Sequence, residues 1–370
     1  MNNYITKIGG IATVLLAVTI TASAEIKLND NISTSGYIVG SNQYTSHAVQ
    51  YTTIYNSDGS SYGGSKADKK DSFDVDSAKL RFDLNYKPVA GVISLYYQPN
   101  ASVSILDAYV SYDVGNGFSV SGGKFLTWLG YEANDPVDMY QISYANNDFL
   151  GAIPNYHSGV RVEYSDQNYG AGVAVVDSVY PGGYLKGDGE LRHNAGFEAY
   201  FTYKGIKDVT LWSAVAYETR RTYDANSYYY YNNSPAPAIV TLDFWASYQV
   251  DQNTLVAAEF AHKNGDAQGD RGYNWLFLTN RTFTQKFSTA FRVSGEHINS
   301  YRYYGSLLSY RPNFTKFTVA PTYVVTANLS LRGEISYYNY SNYDYYEPMA
   351  SRPKNLDHST YIGVQALFKF

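Results

Sequence analysis

The chain has 370 residues, a formal charge of −5, no cysteine, 41 tyrosines and 17% aromatic residues, with a mean hydropathy of −0.33. The absence of cysteine excludes a disulfide-stapled module and cysteine-ligated zinc. The acidic balance argues against a nucleic-acid partner, which calls for a basic footprint.

At the N-terminus, Lys7 precedes an apolar stretch at 8–20, followed by the small residues Ala22, Ser23 and Ala24. This three-part layout predicts a signal peptide at 1–24 and an exported domain at 25–370. The apolar stretch is shorter than the roughly 20 residues of a spanning helix.

From there the chain alternates with a period of two. At 73–86, Ala78, Leu80, Phe82 and Leu84 oppose Ser77, Lys79, Arg81 and Asp83. At 240–250, Leu242, Phe244, Ala246 and Tyr248 oppose Asp243, Trp245, Ser247 and Gln249. The same pattern runs through 106–114, 156–164, 195–204, 287–297 and 329–337. It is weaker at 32–43, 89–97, 117–126, 169–177, 209–220, 254–263, 273–281 and 314–324. The final strand, 360–370, sets Ile362, Val364, Ala366, Phe368 and Phe370 against Tyr361, Gly363, Gln365, Leu367 and Lys369. Strict alternation marks strands with one apolar face, and the strands predicted here number about sixteen.

The connections alternate too. Short ones at 87–88, 115–116, 166–168, 205–208, 251–253, 282–285 and 325–328 interleave with longer ones, the longest at 44–72, 127–155, 178–193, 221–235, 301–313 and 339–358. An all-β, transmembrane, antiparallel up-and-down barrel has this rhythm. It also explains a low mean hydropathy, because only one face of each strand meets lipid. Tyrosine suits the two interfaces, where an apolar ring needs a wet hydroxyl. The tyrosine runs at 228–231 and 337–346 are expected to thicken the outer aromatic girdle.

Charges on the lipid side of a barrel cost about 2–4 kcal/mol near the midplane, so the charged face is the inward one. Its basic members are Lys79, Arg81, Lys124, Arg161, Arg292 and Arg332. Three belong to Arg-x-acid repeats, completed by Asp83, Glu163 and Glu334. An i, i+2 spacing puts both charges on one strand face. Such a pair either guides solutes or lines and stiffens a wet wall.

Catalysis has little support. The six histidines are scattered, and His157 and Ser158, being adjacent on a strand, point to opposite faces. No nucleophile elbow, phosphate loop or metalloprotease motif is present. No catalytic residue, resident metal or cofactor is expected.

The strand end Gly123-Lys124-Phe125-Leu126, the stretch Gly130-Tyr131-Glu132, the run His157-Ser158-Gly159-Val160 and the aromatic terminus carry a family resemblance. The chain resembles the OmpL-like β-barrel porins. The resemblance implies a passive outer-membrane channel for small hydrophilic solutes, in a membrane of lipid and lipopolysaccharide. Phe370 would be the mark read by the barrel-assembly machinery. General porins of sixteen strands fold the loop after strand five inward, and the analogy implies the same for 127–155. Glu132, Asp135 and Asp138 would then form the acidic side of a constriction facing the basic positions above, with Glu163 and Glu334 beside them. A homotrimer is implied by the same analogy. The acidic excess on the inward faces predicts a mild cation preference. The alternatives are a non-conducting barrel that binds ligands or surfaces through its tyrosine-rich loops, and a barrel hydrolase.

Overall fold

The computed structural model describes residues 25–55, 61–99, 103–132, 134–145, 150–180, 191, 195–219, 238–265, 271–299, 301–304, 307–310, 313–341, 344–345 and 354–370. The expected signal segment and the tyrosine run at 228–231 lie outside the described residues.

Sixteen strands form the wall. The first eight are β1 (Ile32–Tyr55), β2 (Ser61–Tyr86), β3 (Val89–Tyr97), β4 (Ser104–Gly115), β5 (Phe118–Leu126), β6 (Tyr156–Ser165), β7 (Tyr169–Val176) and β8 (Gly196–Tyr203). The second eight are β9 (Val209–Glu218), β10 (Ile239–Asp251), β11 (Thr254–Asn264), β12 (Gly272–Thr284), β13 (Phe287–Ile298), β14 (Asn313–Val324), β15 (Leu329–Ser341) and β16 (His358–Lys369). Each pairs antiparallel with its sequence neighbours. β16 also pairs with β1, from Tyr37↔Lys369 to Thr45↔Tyr361, so the sheet closes on itself. Closure leaves no edge strand to be satisfied by solvent, which is what lets a sheet sit in hydrocarbon. Phe370 completes the seam, exchanging backbone hydrogen bonds with Gly36 at 2.8 and 3.0 Å.

The short turns all lie at the end of the barrel that carries this seam. Local chemistry sets them. Asp166 Oδ1 accepts the backbone N–H of Asn168 and of Tyr169 at 2.7 Å, an Asx turn. Asn116 adopts φ of 54° between Gly115 and Gly117, as a tight hairpin demands.

One expected loop is different. The alternation predicts a long first connection at 44–72, yet β1 and β2 run on as a ladder to Tyr55↔Ser61, giving strands of 24 and 26 residues. A membrane strand needs only about 9–11. The sequence beyond Gln43 keeps the Thr, Tyr and Ile content of a strand but lacks the strict apolar alternation by which the other strands were read.

The burial pattern is inverted relative to a soluble fold. Phe277, Phe291, Phe317, Ile335 and Val364 are exposed on the outer face, while Arg292, Lys316, Glu334 and Asp243 are almost fully buried. Apolar side chains outward and polar ones inward is the arrangement lipid imposes. Tyr337 conforms, pointing outward. Tyr338 and Tyr340 turn inward and stack on each other at 5.6 Å.

Candidate functional site

Charges buried on an inner wall need partners, and segment 127–155 supplies them. It leaves β5 at Thr127 and rejoins the wall at Tyr156, with one short 3-10 turn at Pro136–Asp138. Irregular backbone carries unpaired N–H and C=O groups, and each must be satisfied where bulk water is scarce.

Five wall carboxylates accept N–H groups from the segment. Glu198 on β8 takes Trp128 N–H at 3.3 Å and the Thr127 hydroxyl at 2.6 Å. Asp243 on β10 takes Gly130 N–H at 2.8 Å, and Glu259 on β11 takes Tyr131 N–H at 2.7 Å. Glu334 on β15 takes Ile142 and Ser143 N–H at 2.5 and 2.9 Å, and the Ser143 hydroxyl. Glu296 on β13 takes Leu150 N–H at 2.9 Å.

Wall cations answer the carbonyls. Arg332 donates to the carbonyls of Pro136, Met139 and Gln141 at 2.9, 2.5 and 3.2 Å. Arg292 donates to Ser143 O at 2.8 Å, and Lys316 on β14 to Tyr144 O at 2.8 Å. Lys263 reaches Leu150 O and Gly151 O at 3.4 and 3.3 Å.

Of the acidic residues expected at a constriction, Glu132 pairs with Arg292 at 2.5 Å and also accepts Ala145 N–H at 2.6 Å. Asp135 pairs with Lys79 at 3.0 Å and accepts the Tyr37 hydroxyl at 3.0 Å. Only Asp138 stays exposed. The enclosing walls still strip it of bulk water, and Asp135 adds negative charge, so its carboxyl is raised above the ordinary range.

The basic residues divide. Arg81 pairs with Asp83 at 2.7 Å, and both remain partly exposed. Arg161 pairs with Glu163 at 3.1 Å while its guanidinium lies over the rings of Phe125 and Tyr109, at 4.5 and 5.0 Å. In the third repeat, Arg332 and Glu334 turn to the segment instead. Lys124 corrects the expectation. It shares the outward face of β5 with Val120 and with Gly122, which lies across from Val110 and Val160, and its ammonium donates to Ile105 O at 2.6 Å. The glycines at 122 and 123 erase the apolar signal that would have shown which face was which.

The start of the segment is held differently. Trp128 and Leu129 sink into an apolar cluster with Phe125, Ala174, Val176, Trp212 and Ala214. Tyr200, Trp212 and Trp245 line the neighbouring strands as a parallel stack, 4.6 and 5.3 Å apart, with Trp128 tilted over Tyr200 at 4.8 Å. Three of the chain's four tryptophans meet there. His157, 1% exposed, lies beside it with Nε2 3.5 Å from Glu198. Gly130 comes next at φ +99°, where a side chain would be strained and would press on Ile153 at 3.0 Å.

Sequence reasoning missed Glu198, Asp243, Glu259, Glu296 and Lys316. Their signal was present: each is a charge in the inward register of a strand whose other face is mostly apolar, with Lys263 beside Glu259 and Arg292 beside Glu296.

Comparison with known proteins decides the family. A family model described as "Putative beta-barrel porin-2, OmpL-like" matches residues 31–370. The chain belongs to that family. Among curated proteins no sequence match is found. Solved structures share the fold. The outer-membrane channel DcaP of Acinetobacter baumannii aligns with a TM-score of 0.61 at 11% identity, over 92% of this chain and 97% of that one. The anion-selective porin of Comamonas acidovorans gives 0.61 at 9%, over 92% and 99%. Salmonella typhi OmpF, in a complex with daunomycin, gives 0.57 at 13%, over 94% and 100%. The chain is an outer-membrane porin of sixteen strands.

Proposed function

We propose that this porin is a passive channel for small hydrophilic solutes and that segment 127–155 narrows it. The observation that carries the reading is the bonding of one irregular segment to inward groups of β1, β2, β8, β10, β11, β13, β14 and β15. A segment tied to strands all around a barrel reduces its bore. The charges left toward solvent, Arg81, Asp83, Glu163 and Asp138, are then those a passing ion meets, and their acidic excess favours cations. Glu132, Asp135, Lys79, Arg292, Arg332 and Glu334 hold the constriction in shape.

The purified protein in a planar bilayer is expected to give discrete conductance steps, cut off with solutes of increasing size. Folded protein that stays silent overturns the reading. Reversal potentials in a salt gradient are expected to favour cations weakly, and anion selectivity would reject that part.

Export by a cleaved peptide at 1–24, delivery to the assembly machinery through Phe370 and assembly as a homotrimer belong to the same proposal. The trimer draws support from the trimer form of OmpT of Vibrio cholerae, similar in fold at a TM-score of 0.53 and 12% identity. Mass measurement in detergent checks the trimer, and sequencing of the mature N-terminus checks the cleavage.

A further inference from the structure

Among the described residues, the buried charges on β8 to β12 are Glu198, Glu218, Asp243 and Glu259 against Lys263 alone. On β13 to β15 the balance reverses, with Arg292, Lys316 and Arg332 against Glu296 and Glu334. The acidic excess is met mostly by N–H and O–H donors. Both oxygens of Glu198 accept bonds from the segment, and Glu218 takes the backbone N–H groups of Val179 and Tyr180 at 2.9 and 3.1 Å. Lys263 turns to the carbonyls of Leu150 and Gly151.

Asp243 is the exception. Its Oδ2 accepts Gly130 N–H, but Oδ1 meets no donor. Among the described residues it is the one buried carboxylate oxygen in that position. The Glu259 carboxyl, which holds Tyr131 N–H through Oε1, comes within hydrogen-bonding reach of Asp243. Two carboxylates stand so close only with a proton or a cation between them. Across Ala261, in the same inward row, stands Asn274. Its amide is fully buried and makes no hydrogen bond through Oδ1 or Nδ2. On the next strand the Ser294 hydroxyl, equally buried, makes none either. Buried polar groups without partners are rare, and here β10, β12 and β13 present them within one patch of wall. Asp243 and Asn274 are two strands apart, which is about 10 Å between Cα atoms. With only Ala261 between them, the side-chain ends leave room for one ion whose bonds to oxygen run about 2.3–2.6 Å.

We infer that Asp243, Glu259 and Asn274 bind a divalent cation of the calcium class. A shared proton would satisfy the two carboxylates and leave Asn274 unmatched. A cation collects carboxylate and amide oxygens together. Calcium takes about six to eight oxygens in a loose geometry, so Ser294 and waters can complete its shell, and such waters also meet Asn274 Nδ2. The ligands come from three strands, so no local spacing marks them in the sequence. Gly130 and Tyr131 hang on the two carboxylates. An ion between these acids therefore fixes the point where the segment leaves its packed start and enters the lumen.

The test uses the full protein refolded into detergent without lipopolysaccharide, whose phosphates bind calcium themselves, and stripped with a chelator. Calcium titrated into it is expected to bind at one site per chain by calorimetry and to raise the unfolding temperature read by gel migration. Terbium in place of calcium should emit when Trp245 is excited, since Trp245 pairs with Glu259 across β10 and β11. Asp243→Asn and Asn274→Ala should each bind at least about tenfold more weakly. Asp30→Asn, at an exposed acid outside the site, should bind as the wild type does. The Asn274 side chain makes no bond that the fold would miss, so Asn274→Ala carries the test should Asp243→Asn fail to fold. A folded wild type indifferent to millimolar calcium, or equal binding by Asn274→Ala, overturns the inference. Stabilisation by acid that Asp243→Asn abolishes, without any response to calcium, would assign the two carboxylates a shared proton and overturn it too. Protein that binds calcium yet conducts no ions would refute the channel reading and leave the cation site standing.

Discussion

Segment 127–155 is attached to the wall in two unlike ways. Its first residues, Trp128 and Leu129, are packed among Phe125, Ala174, Val176 and Trp212. Its middle, 132–145, is held by Arg292, Lys316, Arg332 and Glu334 through charge-assisted hydrogen bonds. The packed end needs shape and exclusion of water, and tolerates any side chain that fills the space. The ionic end needs each partner, because a buried charge stripped of its counterpart is costly. One segment thus joins a hydrophobic anchor to an electrostatic clamp.

The largest effect is expected at the clamp. Arg292→Met leaves Glu132 buried without its cation and should cost about 3–5 kcal/mol. In a bilayer the channel should become noisier and more conductive as the segment detaches. Adding Glu132→Gln should recover much of the loss, since removing both charges removes the mismatch. Thermal unfolding monitored by gel migration measures the cycle. Equal loss in the single and double variants would mean that the pair does not act as a clamp.

At the anchor, Trp128→Ala should cost about 3 kcal/mol, the low end for removing a buried aromatic. Water from the lumen can enter the vacated space. Trp128→Phe should retain most of the stability, whereas no conservative replacement serves Arg292, whose fork reaches Glu132 and Ser143 O through one nitrogen and the hydroxyls of Ser143 and Thr318 through the other. If both tryptophan variants destabilise alike, shape is not what the anchor requires.

The same contrast explains what could be read from sequence. The wall was legible because lipid enforces a period of two on every strand that crosses it, as in Phe291, Val293 against Arg292, Ser294. The seam at Phe370 and the short turns at Asn116 and Asp166 were legible for similar local reasons. The partners of the inward charges were not. Arg332-x-Glu334 and Arg81-x-Asp83 look alike as sequence, yet the first reaches into segment 136–143 and the second pairs with itself. The choice depends on what irregular backbone arrives opposite each strand, and no strand-local pattern encodes that. Lys124 failed for the reverse reason, because Gly122 interrupts the apolar run of Phe118 and Val120 on the face that Lys124 shares.

Asp138 tests the clamp more gently. Its carboxyl is raised by the enclosing walls and by Asp135. A carboxyl raised in the folded state stabilises the fold while protonated, and that contribution is lost as pH rises through the raised value. Segment attachment should therefore weaken from acid toward neutral pH, and single-channel noise should grow. Asp138→Asn keeps the neutral form at all pH and should flatten this dependence. An unchanged profile in the variant would assign the pH response elsewhere.

The smallest stability effect is expected where the charges face the lumen. Arg81 and Asp83 are 28% and 38% exposed, and a pair that wet contributes about 0–1 kcal/mol. Arg81→Gln should leave thermal unfolding nearly unchanged while moving the reversal potential toward stronger cation preference, because it removes a positive charge that no described group of the segment covers. Arg332→Gln should do the opposite: a large loss of stability, with selectivity altered only as the segment shifts. Measured side by side, the two arginines separate a residue that meets the solute from one that holds the constriction. Should Arg81→Gln destabilise as much as Arg332→Gln, the division between clamp and lumen charges would fail.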